Sequence, residues 1–209
     1  MIVAIEGIDG AGKHTLVTAL QQRTNATVLS FPRYSESVPA QLAQQALYGG
    51  MGDLVDSIYG MATMFALDRH GAKSLIEPFC TGQSRANEVI LLDRYVASNA
   101  AYSWARAQDA ALVDWVGNLE FTTLGLPVPD FHILLGTQAD VARERALLRA
   151  QDDSHRQLDA YEQDSMLQER TFAAYMALAE QHWQSPWEIV RSDEDPAQVA
   201  DQLVAAYHL

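Results

Sequence analysis

Lysine is almost absent from this chain: Lys13 and Lys73 stand against twelve arginines. Positive charge of either kind is scarce beside 27 acidic residues, giving a net charge of −13. That balance weighs against a nucleic-acid or anionic-membrane surface, although a few converging cations still allow a small anionic ligand. One cysteine, Cys80, excludes an internal disulfide and suits a reducing compartment. No apolar run approaches the ~20 residues of a membrane-spanning helix. No basic stretch followed by an apolar core and a cleavage site opens the chain. The expectation is a soluble, cytoplasmic protein with no membrane and no nucleic-acid partner. Repeats, low-complexity runs and linkers are also missing, so residues 1–209, 48% of them hydrophobic, are read as one domain with a sizeable core.

What is present is concentrated first in Ile2–Thr15, I-V-A-I-E-G-I-D-G-A-G-K-H-T. Gly7, Gly12 and Lys13 fit the phosphate-binding pattern G-x-x-x-x-G-K. Glycines let backbone N–H groups turn inward, and the following helix adds the positive end of its dipole. Lys13 supplies a point charge for the β- and γ-phosphates of a nucleotide. A lysine here, in a chain that otherwise uses arginine, favours a chemical role for it. The bland alternative is a glycine turn between strand and helix. The strand-like run before the loop and the helical run after it (Leu16, Val17, Leu20) argue for the phosphate loop. One position departs from the pattern: His14 stands where a Ser or Thr hydroxyl usually ligates Mg²⁺, with Thr15 behind it. Imidazole is a poor ligand for this hard ion. The metal is then held by carboxylates, waters and phosphates, or Thr15 takes an unusual position.

Strand-like runs recur at Ile2–Glu6, Thr27–Ser30, Glu88–Leu92, Phe131–Leu135 and Glu188–Arg191. Several are continuously apolar, as in a parallel sheet covered on both faces. Helical patterns separate them, which predicts an α/β domain. Asp53–Phe79 reads as one long helix. Asn99–Gln108 and Ala111–Thr123 follow, ending near Gly125. Gln138–Ala150 and Asp159–Gln184 flank a polar break, Gln151–Leu158. A last helix begins at Asp195-Pro196.

Three further stretches carry chemistry. Val89–Leu92 leads into Asp93 and Arg94, where a carboxylate at a strand's carboxyl end would sit beside the phosphate loop. Arg94 could grip a second phosphate with its fork; a surface ion pair is the plain alternative. Phe65 and Arg69 are four apart on a helix face. A ring and a guanidinium there suit a flat heterocycle, although a core Phe beside an outward-reaching Arg is the commoner arrangement. Arg143, Arg145, Arg149 and Arg156 surround the polar break ahead of Asp159-Ala160-Tyr161-Glu162. A flap bearing arginines would neutralise a transferred phosphoryl group and exclude water. A solvated amphipathic helix with i,i+4 charge pairs would show the same spacing.

E-G-I-D-G-A-G-K, F-P-R-Y at Phe31–Tyr34, F-A-L-D-R at Phe65–Arg69 and D-R-Y-V-A-S-N-A-A-Y at Asp93–Tyr102 together resemble thymidylate kinases. The likeness is to the actinobacterial form, which also lacks Ser or Thr after the loop lysine, and it runs from residue 1 to about 205 in the same order. The resemblance implies a P-loop NTPase fold: a five-stranded parallel sheet with helices on both faces and an arginine-bearing lid over about 143–158. It implies transfer of the γ-phosphoryl of ATP to dTMP with Mg²⁺, by a homodimer.

Carried over by residue, Gly7-Ile8-Asp9-Gly10-Ala11-Gly12-Lys13-His14-Thr15 would cradle the ATP phosphates. Asp9 would face the acceptor sugar and the metal, and Tyr34 and Arg94 would hold the acceptor phosphate. Phe65 would stack on thymine while Arg69 donates to its O4, a contact that disfavours cytosine's amino group. Asn99 would reach the base edge, and Tyr102 would crowd the 2′ position. Asp159, Tyr161 and Glu162 would close over sugar and phosphate, with Glu162 and Asp9 holding Mg²⁺. Gly10 stands where some members carry a catalytic arginine, so the lid must supply it: Arg149 first, Arg145 or Arg156 second. For adenine the reading offers only Arg191 and the acidic loop behind it.

Rival readings are another nucleoside monophosphate kinase or a deoxynucleoside kinase, a P-loop ATPase switch, and a scaffold made inactive at His14. A GTPase switch would carry N-K-x-D, and the chain has no Asn-Lys pair. Phe65, Arg69 and Tyr102 favour a 2′-deoxy pyrimidine with an O4 carbonyl, which dUMP also satisfies.

Overall fold

The computed structural model describes residues 1–152 and 159–209, without the side chains at 146, 147 and 149–152. Its centre is β1 (Ile2–Glu6), five residues with no exposed side chain. An aliphatic strand of this kind needs cover on both faces, and burying each large side chain contributes roughly 1.5–3 kcal/mol. The phosphate loop leads from β1 into α1 (Lys13–Thr24), then β2 (Thr27–Ser30). Next come α2 (Val38–Leu47), α3 (Ile58–Gly71), α4 (Lys73–Ile76), β3 (Ile90–Asp93), α5 (Val96–Ala107) and α6 (Ala111–Gly117). The chain continues through β4 (Phe131–Gly136), α7 (Ala139–Asp152), α8 (Ala160–Gln163), α9 (Ser165–Glu180), β5 (Trp187–Arg191) and α10 (Pro196–Tyr207). No helix among the described residues is long and apolar enough to cross a membrane.

The five strands lie in the order β2-β3-β1-β4-β5, and each described pairing is parallel. α1 packs on α10, and α5 packs on α6 and α9. In the register, Ile5 of β1 lies opposite Asp93 of β3 and Ile133 of β4. The phosphate loop and Asp93 therefore reach the same edge, the carboxyl ends of the strands, where open α/β sheets bind ligands. Glu6 is buried where β1 ends and accepts from Tyr95 N (2.9 Å), Ser98 Oγ (2.6 Å) and Tyr175 Oη (3.2 Å). Those bonds fasten the sheet to α5 and α9.

The sequence reading places the strands within two residues of their observed positions, and it needs correction between them. Asp53–Phe79 is not one helix. A 3₁₀ turn (Gly52–Val55) precedes α3, which starts afresh because Ser57 Oγ caps Gly60 N at 3.0 Å. α4 then gives way to a second 3₁₀ turn holding Pro78, which cannot continue a helix. Ala111–Thr123 divides into α6 and a π-helical turn (Asn118–Thr123). Asp159–Gln184 breaks at Asp164, whose side chain accepts from Leu167 N at 2.9 Å and starts α9. α2 has no counterpart in the reading; Ser37 caps it and Pro39 sits in its first turn. Within Gln151–Leu158, residues 153–158 lie outside the described residues.

Gly10 shows why the loop takes its shape. Its φ is +85°, and a Cβ built there falls 2.0 Å from the carbonyl oxygen of Ala142 in α7. Neither the backbone conformation nor the gap admits a side chain. We expect Gly10→Ala to lower unfolding free energy by about 2 kcal/mol or more, read by urea denaturation. A variant as stable as the wild type contradicts this packing.

Candidate active site

The loop between β1 and α1 wraps around Lys13. Its ammonium donates to Gly7 O (3.0 Å) and Ile8 O (2.9 Å), and the side chain is buried. Burial and the neighbouring Arg94 charge lower its pKa to about 8, against the opposing pull of Asp9, Asp93 and Glu6. An arriving phosphate would replace the two carbonyls and restore the full charge. Thr137, buried just after β4, donates to Ala11 O at 3.0 Å and pins the loop from behind. All of Asp9–Thr15 line a cavity of about 700 Å³, together with Asp93, Arg94, Arg145 and Arg191. Arg145 is exposed and donates to Ser192 O at 3.4 Å. Arg191 and the residues after it edge this cavity too. His14 and Thr15 are both exposed on the first turn of α1.

Arg94 stands between this cavity and the next. It adopts φ +65°, unusual for a side-chain-bearing residue, and so turns back across the sheet edge. One nitrogen donates to Gly7 O at 3.0 Å and the other to Asp9. Tyr102 Oη donates to the second Asp9 oxygen at 2.8 Å. Burial alone would raise the Asp9 carboxyl, but Arg94 and Lys13 overcome it and hold the group down to about 2. Asp9 is thus a fixed anion throughout the neutral range.

Beyond Arg94 lies a smaller cavity of about 220 Å³. Every acceptor-side residue named from the sequence lines it: Asp9, Tyr34, Phe65, Arg69, Arg94, Asn99, Tyr102, Asp159, Tyr161 and Glu162. Phe65 is half-buried, a ring available for stacking. The rings of Tyr102 and Tyr161 stack at 5.9 Å, and Arg106 donates to Tyr161 Oη at 2.5 Å. Arg33 grips the buried Asp68 through its backbone N (2.9 Å) and Nε (3.0 Å), which fixes the Phe31–Tyr34 segment against α3. A third cavity, about 620 Å³, adjoins Asp9, Glu162, Arg143 and Gln168. Asp9 borders all three spaces.

Arg69 is 3% exposed and forms a forked pair with Glu120, itself fully buried, at 2.5 and 2.8 Å. Burial disfavours the guanidinium charge, and Glu120 more than offsets that. Glu120 sits in no motif and looks like an ordinary charged position, while Glu6 opens E-G-I-D-G-A-G-K without an assigned role. Arg106 and Thr137 gave no signal either. Ser98, inside D-R-Y-V-A-S-N, was within the recognisable block without an assigned role. Arg149 lies on α7 with its side chain outside the described residues, and Arg156 lies outside them altogether.

The donor set fits Mg²⁺, an ion that prefers oxygen ligands and keeps several waters. Asp9 is a carboxylate held charged, and Glu162 borders two of the same cavities. No group of three acidic, His or Cys side chains converges among the described residues, so phosphate and water oxygens would complete the shell.

Comparison with known proteins identifies the family. The family described as thymidylate kinase matches residues 5–199. A thymidylate kinase of Mycobacterium tuberculosis is 49% identical over 211 residues, 97% of both chains. A probable thymidylate kinase of Thermococcus kodakarensis is 28% identical, over 98% of this chain and 96% of that one. Among solved structures, thymidylate kinase from Candida albicans superposes with a TM-score of 0.73 at 20% identity, covering 99% of this chain and 90% of its own. A deoxyadenosine kinase from M. mycoides gives 0.68 at 17%, covering 100% and 99%. At those identities the structural likeness speaks for the fold alone: the P-loop NTPase fold of nucleotide and nucleoside kinases.

Asp159 provides a pH test of the acceptor side. It caps α8, accepting from Tyr161 N (2.8 Å) and Glu162 N (2.9 Å). Burial, with repulsion from Glu162 and Asp9, raises it from 3.8 to about 6 despite those bonds. A raised carboxyl favours the folded state fully below pH 3.8, and that contribution is lost as pH rises through 6. Asp159→Asn should therefore gain stability relative to the wild type between about pH 4.5 and pH 7 in urea melts. A flat difference across that range counts against the raised value.

Proposed function

We infer the working of this site from one premise: the chain belongs to the thymidylate kinase family and, with ATP, phosphorylates dTMP to dTDP. The observation that carries the residue assignment is the meeting of two cavities at Arg94 and Asp9, one on the phosphate loop and one walled by the acceptor residues. ATP lies along Gly7–Thr15, with Lys13 on its β- and γ-phosphates. Arg191 and the turn after it, which line the same cavity, would meet adenine.

On the acceptor side Phe65 stacks on thymine, Arg69 donates to its O4, and Asn99 meets the base edge. Tyr102, tied to Asp9, crowds the 2′ position and selects a deoxyribose. Tyr34 and Arg94 hold the acceptor phosphate, and Asp159, Tyr161 and Glu162 close over it. An acceptor phosphate oxygen bonds to the γ-phosphorus as the bond to the β–γ bridging oxygen breaks, and ADP leaves with that electron pair. No proton need be removed, because the acceptor oxygen is already anionic at neutral pH. The protein's task is alignment, charge neutralisation and exclusion of water. Asp9 and Glu162 would hold Mg²⁺, which when bound would add charge neutralisation at the phosphates. That assignment explains how His14 is tolerated: the loop's own metal contact is not required.

We read residues 1–209 as one nucleoside monophosphate kinase domain with its lid near 143–158. Arg145 already borders the ATP cavity, and Arg149 follows one turn later on α7. The collision at Gly10 supports a lid-supplied arginine, since the loop has no room for one. Family resemblance supports a homodimer, and with the single cysteine it supports a cytoplasmic location.

The decisive experiment measures ADP release with dTMP, dUMP, dCMP, AMP and GMP. dTMP is expected to be the best acceptor; ATP hydrolysis that ignores dTMP would remove the assignment. Arg149→Ala is expected to lower kcat about 100-fold, with KM for dTMP within about threefold. Unchanged turnover rules that arginine out and passes the role to Arg145, tested in the same way.

A further inference from the structure

Behind Arg69 and Asn99, which line the acceptor cavity, lies a buried carboxylate that has no substrate contact of its own. Glu120 sits in the π-helical turn Asn118–Thr123 and is fully buried. Such turns insert an extra residue and often re-aim a side chain at a functional site. Here the Glu120 carboxylate lies beneath α3 and α5 together. One oxygen accepts from Arg69 Nε at 2.5 Å. The other accepts from Arg69 Nη2 at 2.8 Å and from Asn99 Nδ2 at 2.7 Å.

The consequence for Asn99 follows from donor and acceptor types alone. Its amide end faces two groups, the Glu120 carboxylate and Ala62 O at 2.9 Å. Both can only accept, so the amide nitrogen must point at them, and its two hydrogens are used. Asn99 lines the cavity, and the atom left to meet a ligand is Oδ1, an acceptor. Arg69 has Nε and Nη2 engaged, which leaves Nη1, a donor.

We propose that Glu120 is a positioning residue that sets base selectivity, by locking Asn99 as an acceptor and Arg69 as a donor beside each other. This rests on the acceptor-site assignment above and adds its cause. An acceptor next to a donor matches the N3–H and O4 of thymine or uracil. Cytosine offers the reverse order, a bare N3 and an amino group, so both contacts become repulsive. Without Glu120, Asn99 keeps only Ala62 O to hold its amide and Arg69 can swing, so the order is held far less firmly.

The test is Glu120→Gln in the full-length enzyme, with kcat/KM measured for dTMP and dCMP. A glutamine amide nitrogen must face the Arg69 guanidinium or Asn99 Nδ2, donor against donor, so one of them moves. The ratio of dTMP to dCMP is expected to fall by about tenfold or more. A purely structural role lowers both substrates by one factor and leaves the ratio unchanged, which overturns the proposal. Should Glu120→Gln fail to fold, Glu120→Asp keeps the charge and withdraws it by one carbon. Its ratio is then expected to fall about threefold or more, and an unchanged ratio again overturns the role. A wild-type enzyme indifferent between dTMP and dCMP sinks the acceptor-site assignment itself; wild-type preference retained in a folded Glu120→Gln enzyme sinks only the role of Glu120.

Discussion

Two anions that must react with each other need fixed positive charge between them, and in the function proposed above Arg94 provides it. Its backbone turns at a positive φ, and one side chain reaches both Gly7 O and Asp9. The phosphate loop and the strand end after β3 are thereby joined into one surface. Tyr102 approaches the other Asp9 oxygen, so the wall of the acceptor cavity depends on the same contact. Lys13, short of its usual basicity while folded onto its own loop, completes a cationic line across the sheet edge. In a chain with net charge −13 this local concentration of cations is what makes an anion site workable.

The remaining buried charges follow the same rule, that a charge inside must have its partner inside. Arg69 pairs with Glu120, Arg33 with Asp68, and Glu6 collects three donors from α5 and α9. None of these partners is predicted to touch a substrate. Each holds an element to which the proposed function gives a substrate contact: the base-edge residues, the Phe31–Tyr34 segment, and the start of α5. On the proposal made for Glu120, the selectivity of the pocket is set one layer below its surface.

The strands and the phosphate loop were legible because their signals are local. A short aliphatic run bounded by glycine suits a covered strand, and the glycine spacing ending in Lys13 has few other uses. The family motifs also brought the acceptor residues into view, and the structure gathers them on one cavity wall. Helix boundaries were less legible where a cap overrode the apolar rhythm: Ser57 restarts a helix inside Asp53–Phe79, and Asp164 divides the stretch after Asp159. The π-helical turn carried no local mark, since its residues suit an ordinary helix equally well.

By itself the sequence marked a phosphate-loop pattern after β1, foretold a parallel sheet, and showed which side chains have the chemistry for a second nucleotide. These depend on residues within a few positions of each other, whose spacing fixes their geometry. Tertiary structure alone decided that Arg69 is held by a carboxylate 51 residues away and Asp9 by a guanidinium 85 away. It alone brought Ala142 against Gly10. A sequence states that a buried charge will need a partner, but the choice of partner belongs to whichever elements the packed core sets side by side.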